Sequence, residues 1–119
     1  MKLIDTSVLI DNIRKGIYEE GSISIITLIE ILRGTSSRKR IRVKQLLEEG
    51  FDVLNIDNKV VLKYCDLYNT LKKKGQLIPD ADLLIAATAI VNDLVLVTKD
   101  KDFEQVKEHG LKLELREEQ

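Results

Sequence analysis

Residues 94–100 read Leu-Val-Leu-Val-Thr-Lys-Asp, an apolar run followed by polar residues that end in a carboxylate. Four consecutive apolar residues without polar alternation are typical of a strand that is buried on both faces of a parallel sheet. Functional residues of such sheets lie beyond the carboxyl ends of the strands, which is where Thr98 and Asp100 occur. This stretch therefore predicts a parallel sheet and also the edge at which its chemistry is found.

Strand-like and helical patterns alternate through the rest of the chain. Short runs rich in apolar or β-branched residues predict strands, and apolar residues at helical spacing predict helices between them. Strands are expected at 2–4, 22–26, 51–56 and 94–97, and a further strand at an edge of the sheet is expected at 111–115. The first helix is expected directly after Asp5, and the other helices at 28–33, 37–50, 58–74, 81–92 and 101–109. This alternation predicts a single domain over residues 1–119, a three-layer α/β/α sandwich with a mainly parallel central sheet.

Composition narrows the function classes. The 119 residues carry a net charge of -1, which argues against a domain that holds nucleic acid by bulk charge alone and leaves local basic patches open. One Cys and one His exclude a disulfide framework, a multi-Cys zinc site and a His pair. No apolar run approaches the length of a membrane span, and the single cysteine, Cys65, fits a reducing cytoplasm.

Four acidic residues are candidates for the carboxyl edge of the sheet: Asp5, Glu30, Asp82 and Asp100. Asp5 and Asp100 follow predicted strands, whereas Glu30 and Asp82 lie in the first turns of predicted helices. Carboxylates that converge without His or Cys suit a hard divalent cation such as Mg²⁺ or Mn²⁺. Without a cation, the same carboxylates would repel one another and raise one another's pKa values. Because a bound cation can activate water and neutralise a phosphodiester, the pattern suggests metal-assisted phosphodiester hydrolysis.

Each acid also has a purely structural interpretation. Asp5 can cap the first helix, and Glu30 can complete a capping box with Thr27 as the N-cap. Asp80 is the better N-cap for the apolar helix that begins near Pro79, which leaves Asp82 as an acid favoured by the helix dipole. Asp100 or Asp102 can cap the last helix.

Four blocks of sequence, in order, resemble the PIN-domain family, and specifically the short VapC-like ribonuclease toxins of prokaryotic toxin–antitoxin pairs. The blocks are Leu-Ile-Asp-Thr-Ser-Val-Leu-Ile at 3–10, Ser-Ile-Ile-Thr-Leu-Ile-Glu-Ile-Leu-Arg-Gly at 24–34, Ile-Pro-Asp-Ala-Asp-Leu-Leu-Ile-Ala-Ala-Thr-Ala at 78–89 and Leu-Val-Thr-Lys-Asp-Lys-Asp-Phe at 96–103. They span nearly the whole chain.

This resemblance implies an endoribonuclease with a Mg²⁺ site, Mn²⁺ being possible. By resemblance the catalytic metal ligands are Asp5, Glu30, Asp82 and Asp100, with Asp102 beside Asp100 as a second or water-mediated ligand. Ser7 and Thr98 match hydroxyl residues that orient these acids or the attacking water. A cognate antitoxin and a homodimer are implied as partners, and the apolar residues Leu9, Ile10, Ile13, Ile17 and those at 29–32 exceed what one thin domain needs.

Basic residues cluster near the predicted site. Arg33, Arg38, Lys39 and Arg40 are candidates for contacts with the RNA backbone, because an acidic site needs a positive rim to admit a polyanion. Arg33 is the first choice among them because it follows Glu30 by three residues on one helix. The plainer interpretation is a solvated helix face.

Two other functions remain open from the sequence. One is a catalytically idle PIN-like module that binds RNA or protein. The other is a receiver-type phosphoacceptor domain, which shares the α/β alternation but requires a pair of acids after its first strand, where this chain has only Asp5.

Overall fold

A computed structural model describes residues 1–117 of the chain. Each helix follows a strand or another helix in the order that the sequence pattern predicts. The elements are β1 Lys2–Ile4, α1 Thr6–Lys15, β2 Ser22–Ser24, α2 Ile25–Arg33, α3 Ser37–Gly50, β3 Asp52–Leu54, α4 Asn58–Lys73, α5 Asp80–Val91, β4 Val95–Thr98, a 3-10 helix Lys101–Phe103, α6 Glu104–Lys107 and β5 Lys112–Leu115. Residues 118 and 119 of the predicted domain lie outside the described part.

The five strands form one parallel sheet in the order β3-β2-β1-β4-β5. In β1 and β4, Ile4 pairs with Val97, so both strands end at the same edge. The predicted α/β/α class, the parallel sheet and the edge position of β5 are confirmed. The order also differs from the 2-1-3-4-5 order of receiver-like folds, which removes the receiver interpretation.

Alternating side chains of the central strands fill two separate cores. In β1, Leu3 packs into one apolar cluster and Ile4 into the other, and Leu96 and Val97 of β4 divide in the same way. One cluster takes its helical residues from α4, α5 and α6, and the other takes them from α1, α2 and α3. Both faces of the sheet are therefore covered, which gives the predicted three layers.

The second strand and the helix after it meet earlier than predicted. The strand stops at Ser24, and α2 begins at Ile25, where the Ser24 side chain accepts a hydrogen bond from the backbone N–H of Ile26. Ser24 is therefore the N-cap, and Thr27 lies inside the helix. The predicted Thr27 cap is wrong because a serine three residues earlier has the extended backbone that an N-cap requires.

Two other predicted helix ends also shift. Asp80 is the first residue of α5, and the N-cap position belongs to Pro79, whose fixed φ suits that junction. The predicted helix over 101–109 divides into the 3-10 helix and the short α6. Within residues 1–117, no helix is long and apolar enough to cross a membrane.

Candidate active site

Two of the predicted acids lie side by side at the carboxyl edge of the sheet. Asp5 follows β1 directly, and its backbone N–H donates to the carbonyl of Val97 on the adjacent strand β4 at 2.9 Å. Asp100 lies two residues beyond the end of β4. Because the parallel ladder extends to both strand ends, it fixes the backbone from which both carboxylates emerge.

Asp5 is held by two hydroxyl groups. The residue is 4% exposed, and one carboxylate oxygen, Oδ2, accepts from Ser7 Oγ at 2.9 Å and from Thr98 Oγ1 at 2.6 Å. Burial raises the pKa of Asp5, and the hydrogen bonds from Thr98 and Ser7 oppose that rise. The Asp5 side chain makes no helix-capping hydrogen bond, so its role as a cap is confined to the backbone carbonyl, which accepts from Val8 and Leu9.

Both hydroxyl groups also accept from the backbone that carries Asp100. The Asp100 N–H donates to Thr98 Oγ1 at 3.0 Å, and the Lys99 N–H donates to Ser7 Oγ at 3.3 Å. Each hydroxyl therefore accepts from the turn after β4 and donates to Asp5. This arrangement couples the position of Asp5 to the position of Asp100.

Glu30 projects from α2 and is bound by a residue that the sequence analysis did not single out. Thr6 Oγ1 donates to Glu30 Oε1 at 2.7 Å and lies 2.9 Å from Thr27 Oγ1. Thr27 is fully buried, and its hydroxyl group lies beside that of Thr6 instead of capping the helix. The available signal for Thr6 was its place beside Asp5 at a strand end.

Asp82 shows that the acids share one electrostatic field. It lies half-buried in the first turn of α5, and its pKa is raised to about 6. Burial is the largest cause, followed by the negative charges of Asp5, Asp100, Glu30 and Asp102. The fold thus brings all five acids that the sequence analysis named into mutual influence, from four separate parts of the chain.

Asp100 and Asp102 differ in their surroundings. One Asp100 oxygen, Oδ1, accepts from the backbone N–H of Asp102 at 2.9 Å and caps the 3-10 helix. Asp102 is exposed, whereas Asp100 is partly buried. Asp100 therefore caps a helix through Oδ1, as one prediction had it. Its other carboxylate oxygen takes no part in that hydrogen bond.

The donor chemistry of this cluster fits a hard divalent cation. All five side chains offer carboxylate oxygen, the donor that Mg²⁺ and Mn²⁺ prefer. A cation would also offset the repulsion that, after burial, raises the pKa of Asp82. As the side chains stand, residues 1–117 contain no group of three or more His, Cys, Asp or Glu residues close enough together to enclose a metal ion.

Basic residues other than the predicted ones also border the cluster. Arg33, Arg38, Lys39 and Arg40 are exposed. Arg40 donates to the carbonyls of Leu32 at 3.0 Å and Thr35 at 2.9 Å, so it covers the end of α2. In contrast, Arg14 and Lys99 line a depression together with Ser7 and Asp100. Lys99 lies in the sequence block 96–103 without a predicted role, and no motif marks Arg14, whose approach depends on how α1 is rotated against the sheet.

An apolar surface lies between α1 and α2. Ile13 and Ile17 are each 53% exposed and Ile29 is 52% exposed, whereas Leu9 is buried in the core. A groove of about 360 Å³ runs beside Glu30 between these helices. It is lined by Ile10, Ile13, Arg14, Glu30, Ile31 and Gly34. Part of the predicted apolar excess is therefore on the surface.

The sequence is similar to a known protein family and to known members of it. The sequence model of the PIN domain matches residues 2–109. Ribonuclease VapC1 of Methanocaldococcus jannaschii is 46% identical over 115 residues, which cover 93% of this chain and 85% of that protein.

Solved structures of VapBC proteins superpose on this chain over nearly its whole length. The structure of VapBC-1 from nontypeable Haemophilus influenzae superposes with a TM-score of 0.82 and 27% identity over 96% of each chain. VapBC-5 of Mycobacterium tuberculosis, a member of the VapBC family of toxin–antitoxin systems, superposes with a TM-score of 0.70 and 25% identity over 98% of each chain. With its matched sequence, its parallel sheet and its acids at the carboxyl edge, the chain belongs to the PIN-domain family and lies among its VapC-like members.

Proposed function

We propose that this protein is a divalent-metal-dependent endoribonuclease and the toxin of a toxin–antitoxin pair. The observation that carries the proposal is the convergence of Asp5, Glu30, Asp82 and Asp100 at one edge of the sheet, where burial and then the charges of the other acids raise the pKa of Asp82. Carboxylates held together repel one another, and a bound cation would offset that repulsion. The names of the relatives, ribonuclease VapC and VapBC, support the substrate class and the partner.

In this proposal Asp5, Glu30, Asp82 and Asp100 hold Mg²⁺, or Mn²⁺ in its place, and Asp102 stands at the rim. A cation bound there would lower the pKa of a water molecule and neutralise charge on the phosphodiester. The chain's own contribution is positioning. Ser7 and Thr98 hold Asp5 in place, and Thr6 holds Glu30, before a cation or substrate arrives.

The proposal also includes an antitoxin partner, a homodimer and a cytoplasmic location. The groove between α1 and α2 borders Glu30, so an antitoxin segment seated there would block the site as it binds. Exposed apolar residues on α4, Val61 and Leu62, would bury surface in a homodimer. The free cysteine Cys65 is compatible with the cytoplasm. The mass of the protein in solution tests the dimer, and inhibition of cleavage by the antitoxin tests the partner.

The decisive experiment is cleavage of a structured RNA by the purified protein with Mg²⁺ or Mn²⁺, together with the variants Asp5→Asn and Asp82→Asn. We expect cleavage by the wild type, loss of activity in both variants and loss on addition of EDTA. Asp66→Asn is the matched control, because Asp66 is an exposed aspartate on α4. It should cleave like the wild type.

Metal binding separates the remaining outcomes. Titration with Mn²⁺ should show a site that Asp5→Asn weakens. A wild-type protein that neither binds Mn²⁺ nor cleaves RNA would contradict the proposal and favour the catalytically idle module. Cleavage that persists in EDTA would contradict the metal requirement alone.

A further inference from the structure

We propose that Arg14 and Lys99 form a binding site for an RNA phosphate next to the scissile one; this inference rests on the proposed ribonuclease function. The two residues line a depression of about 320 Å³ between α1 and the turn after β4. The depression, here named the Arg14–Lys99 pocket, is lined by Ser7, Ile10, Asp11, Arg14, Lys99 and Asp100.

The pocket adjoins the acid cluster directly. Ser7 donates to the Asp5 carboxylate, and Asp100 is one of the candidate ligands, so two of the lining residues belong to the cluster. A nucleotide strand whose scissile phosphate lies at the acids can therefore continue along the pocket or along the groove beside Glu30. Arg14 lines both openings, which places its guanidinium group between the two possible paths.

Lys99 is positioned by the same network that holds the acids. Its backbone N–H donates to Ser7 Oγ, and its side chain, 18% exposed, reaches Asp11 with 3.6 Å between Nζ and Oδ1. The ammonium group is thus held near Asp11 of α1 instead of extending freely into solvent. A cation with restricted motion loses less conformational entropy when it binds an anion.

Asp11 occupies the place that a phosphate would take. Its carboxylate lies 3.0 Å from Lys15 Nζ and 3.6 Å from Lys99 Nζ, so one anion already bridges two cations at the pocket. An entering phosphate group would compete with Asp11 for Lys99. Asp11 therefore sets how tightly the pocket binds a phosphate and acts against retention of the RNA.

Electrostatics explain why RNA needs such a pocket. The acid cluster repels a polyanion, and a bound cation would compensate only at the scissile phosphate. Flanking phosphates require positive charge from the protein itself. None of Arg33, Arg38, Lys39 and Arg40 lines either depression that borders the acids, whereas Arg14 and Lys99 do.

The test measures RNA affinity in the absence of cleavage. All proteins carry Asp5→Asn, and binding of a labelled single-stranded RNA is measured with Mg²⁺ over a series of salt concentrations. Arg14→Gln and Lys99→Gln should each weaken binding about two- to fivefold. Each should also reduce the slope of log affinity against log salt by about 0.7, the amount for one lost phosphate contact on a single strand.

Two further variants give opposite and null expectations. Asp11→Asn removes the competing anion and should strengthen RNA binding. Lys59→Gln removes one positive charge from an exposed position on α4, on the other side of the sheet, and should leave affinity and slope unchanged. Thermal unfolding of each variant checks that the fold is intact.

Several results would overturn the pocket. The proposal would be wrong if Arg14→Gln and Lys99→Gln both kept the wild-type RNA affinity and salt slope. It would also be wrong if Lys59→Gln lost as much RNA affinity as they do, or if Asp11→Asn bound RNA more weakly than the wild type. Polyglutamate that binds in an Arg14-dependent manner while RNA binding is unaffected would assign the pocket to an acidic protein segment instead. Failure of the proposed function is seen separately, as absence of cleavage by the protein with Asp5 intact.

Discussion

Thr98 joins two of the candidate acids through one hydroxyl group. Its Oγ1 donates to Asp5 at 2.6 Å and accepts from the Asp100 backbone at 3.0 Å, and the residue is fully buried. In a buried environment a charged acceptor and its donor interact strongly, since little water competes for them. Thr98 therefore both orients Asp5 and stabilises its charged form.

Replacing this hydroxyl should reduce activity without unfolding the protein. Thr98→Val keeps the shape of the side chain and removes the donor, so the Asp5 carboxylate loses a partner that opposes the rise in its pKa. We expect RNA cleavage and Mn²⁺ affinity to fall about 10- to 100-fold, as observed when partners of metal ligands are removed. Cleavage rates and Mn²⁺ titration measure the two effects.

Thr88→Val is the matched control for that substitution. Thr88 is also fully buried, but its hydroxyl donates to the carbonyl of Leu84 on the same helix and not to an acid of the site. This variant should keep wild-type cleavage. Equal losses of activity in Thr98→Val and Thr88→Val would mean that buried threonines matter here only for stability.

The residues at the site were predictable to different degrees. Asp5 and Asp100 follow strands directly, so their position in the sequence is enough to place them at the carboxyl edge of a parallel sheet. Thr6 and Arg14 were missed because their contacts depend on the rotation of α1, which no local pattern encodes. Arg40 was assigned to RNA by its charge, and the structure gives it a second role at the end of α2.

At the level of elements, the start of α2 determines where Glu30 points. Ser24 ends β2 and caps α2 with no linking residue between the strand and the helix. Glu30 follows six residues later, so any change in the helix start rotates its carboxylate relative to Thr6. The cap thus contributes to the geometry of the site as well as to the stability of the helix.

Removing this cap should lower stability by a measurable amount. Ser24→Ala deletes the acceptor for the Ile26 N–H, and we expect the free energy of unfolding to fall by about 1 kcal/mol. Ser36→Ala provides the comparison, because Ser36 occupies the N-cap position of α3 without a side-chain capping hydrogen bond. Denaturant unfolding should show a clear loss in the first variant only. Equal losses would argue against the cap.

Element boundaries were harder to predict than the elements themselves. The β-branched residues Ile25 and Ile26 extend the strand-like pattern of 22–24, yet both belong to α2, because the Ser24 cap and burial of the helix override their intrinsic preference. The polar stretch 101–109 looked like one helix, but the Asp100 cap begins it as a 3-10 turn. The apolar strand 95–98 was predicted well because burial on both faces leaves little ambiguity.

For the whole molecule, one charged network ties distant segments together. Glu19, in the connection between α1 and β2, accepts from Arg116 Nη1 at 2.7 Å and Nη2 at 2.6 Å, and from Lys2 at 3.1 Å and Asn12 at 3.2 Å. The Glu19 side chain is only 16% exposed. These partners, Arg116 first, lower its pKa from 4.5 to about 2.

This network predicts a pH-dependent contribution to stability. Because the pKa of Glu19 is lower in the folded state than in the unfolded state, its contribution is complete above pH 4.5 and is lost as the pH falls toward 2. Arg116→Gln should lower the free energy of unfolding at neutral pH by roughly 1–2 kcal/mol. The difference from the wild type should shrink steadily below pH 4.5, as measured by denaturant unfolding at several pH values.

An exposed pair provides the control for this prediction. Lys112 and Asp93 approach to 2.6 Å, but the Asp93 side chain is 81% exposed and water screens the pair. Asp93→Asn retains a residue that tolerates the positive φ of this position, 55°. Its unfolding transition should match that of the wild type. A loss in Asp93→Asn equal to that in Arg116→Gln would show that burial of Glu19 has no special effect.

The pairing of β1 with β4 has a consequence for synthesis of the protein. Lys2 pairs with Val95, so the central strand β1 gains its second neighbour, after β2, from a segment 93 positions further along the chain. A ribosome that has read only as far as Asn92 has made Asp5, Glu30 and Asp82 but neither β4 nor Asp100. We expect nascent chains that end at this point to lack ribonuclease activity, because one strand of the central pair and one candidate metal ligand are still missing.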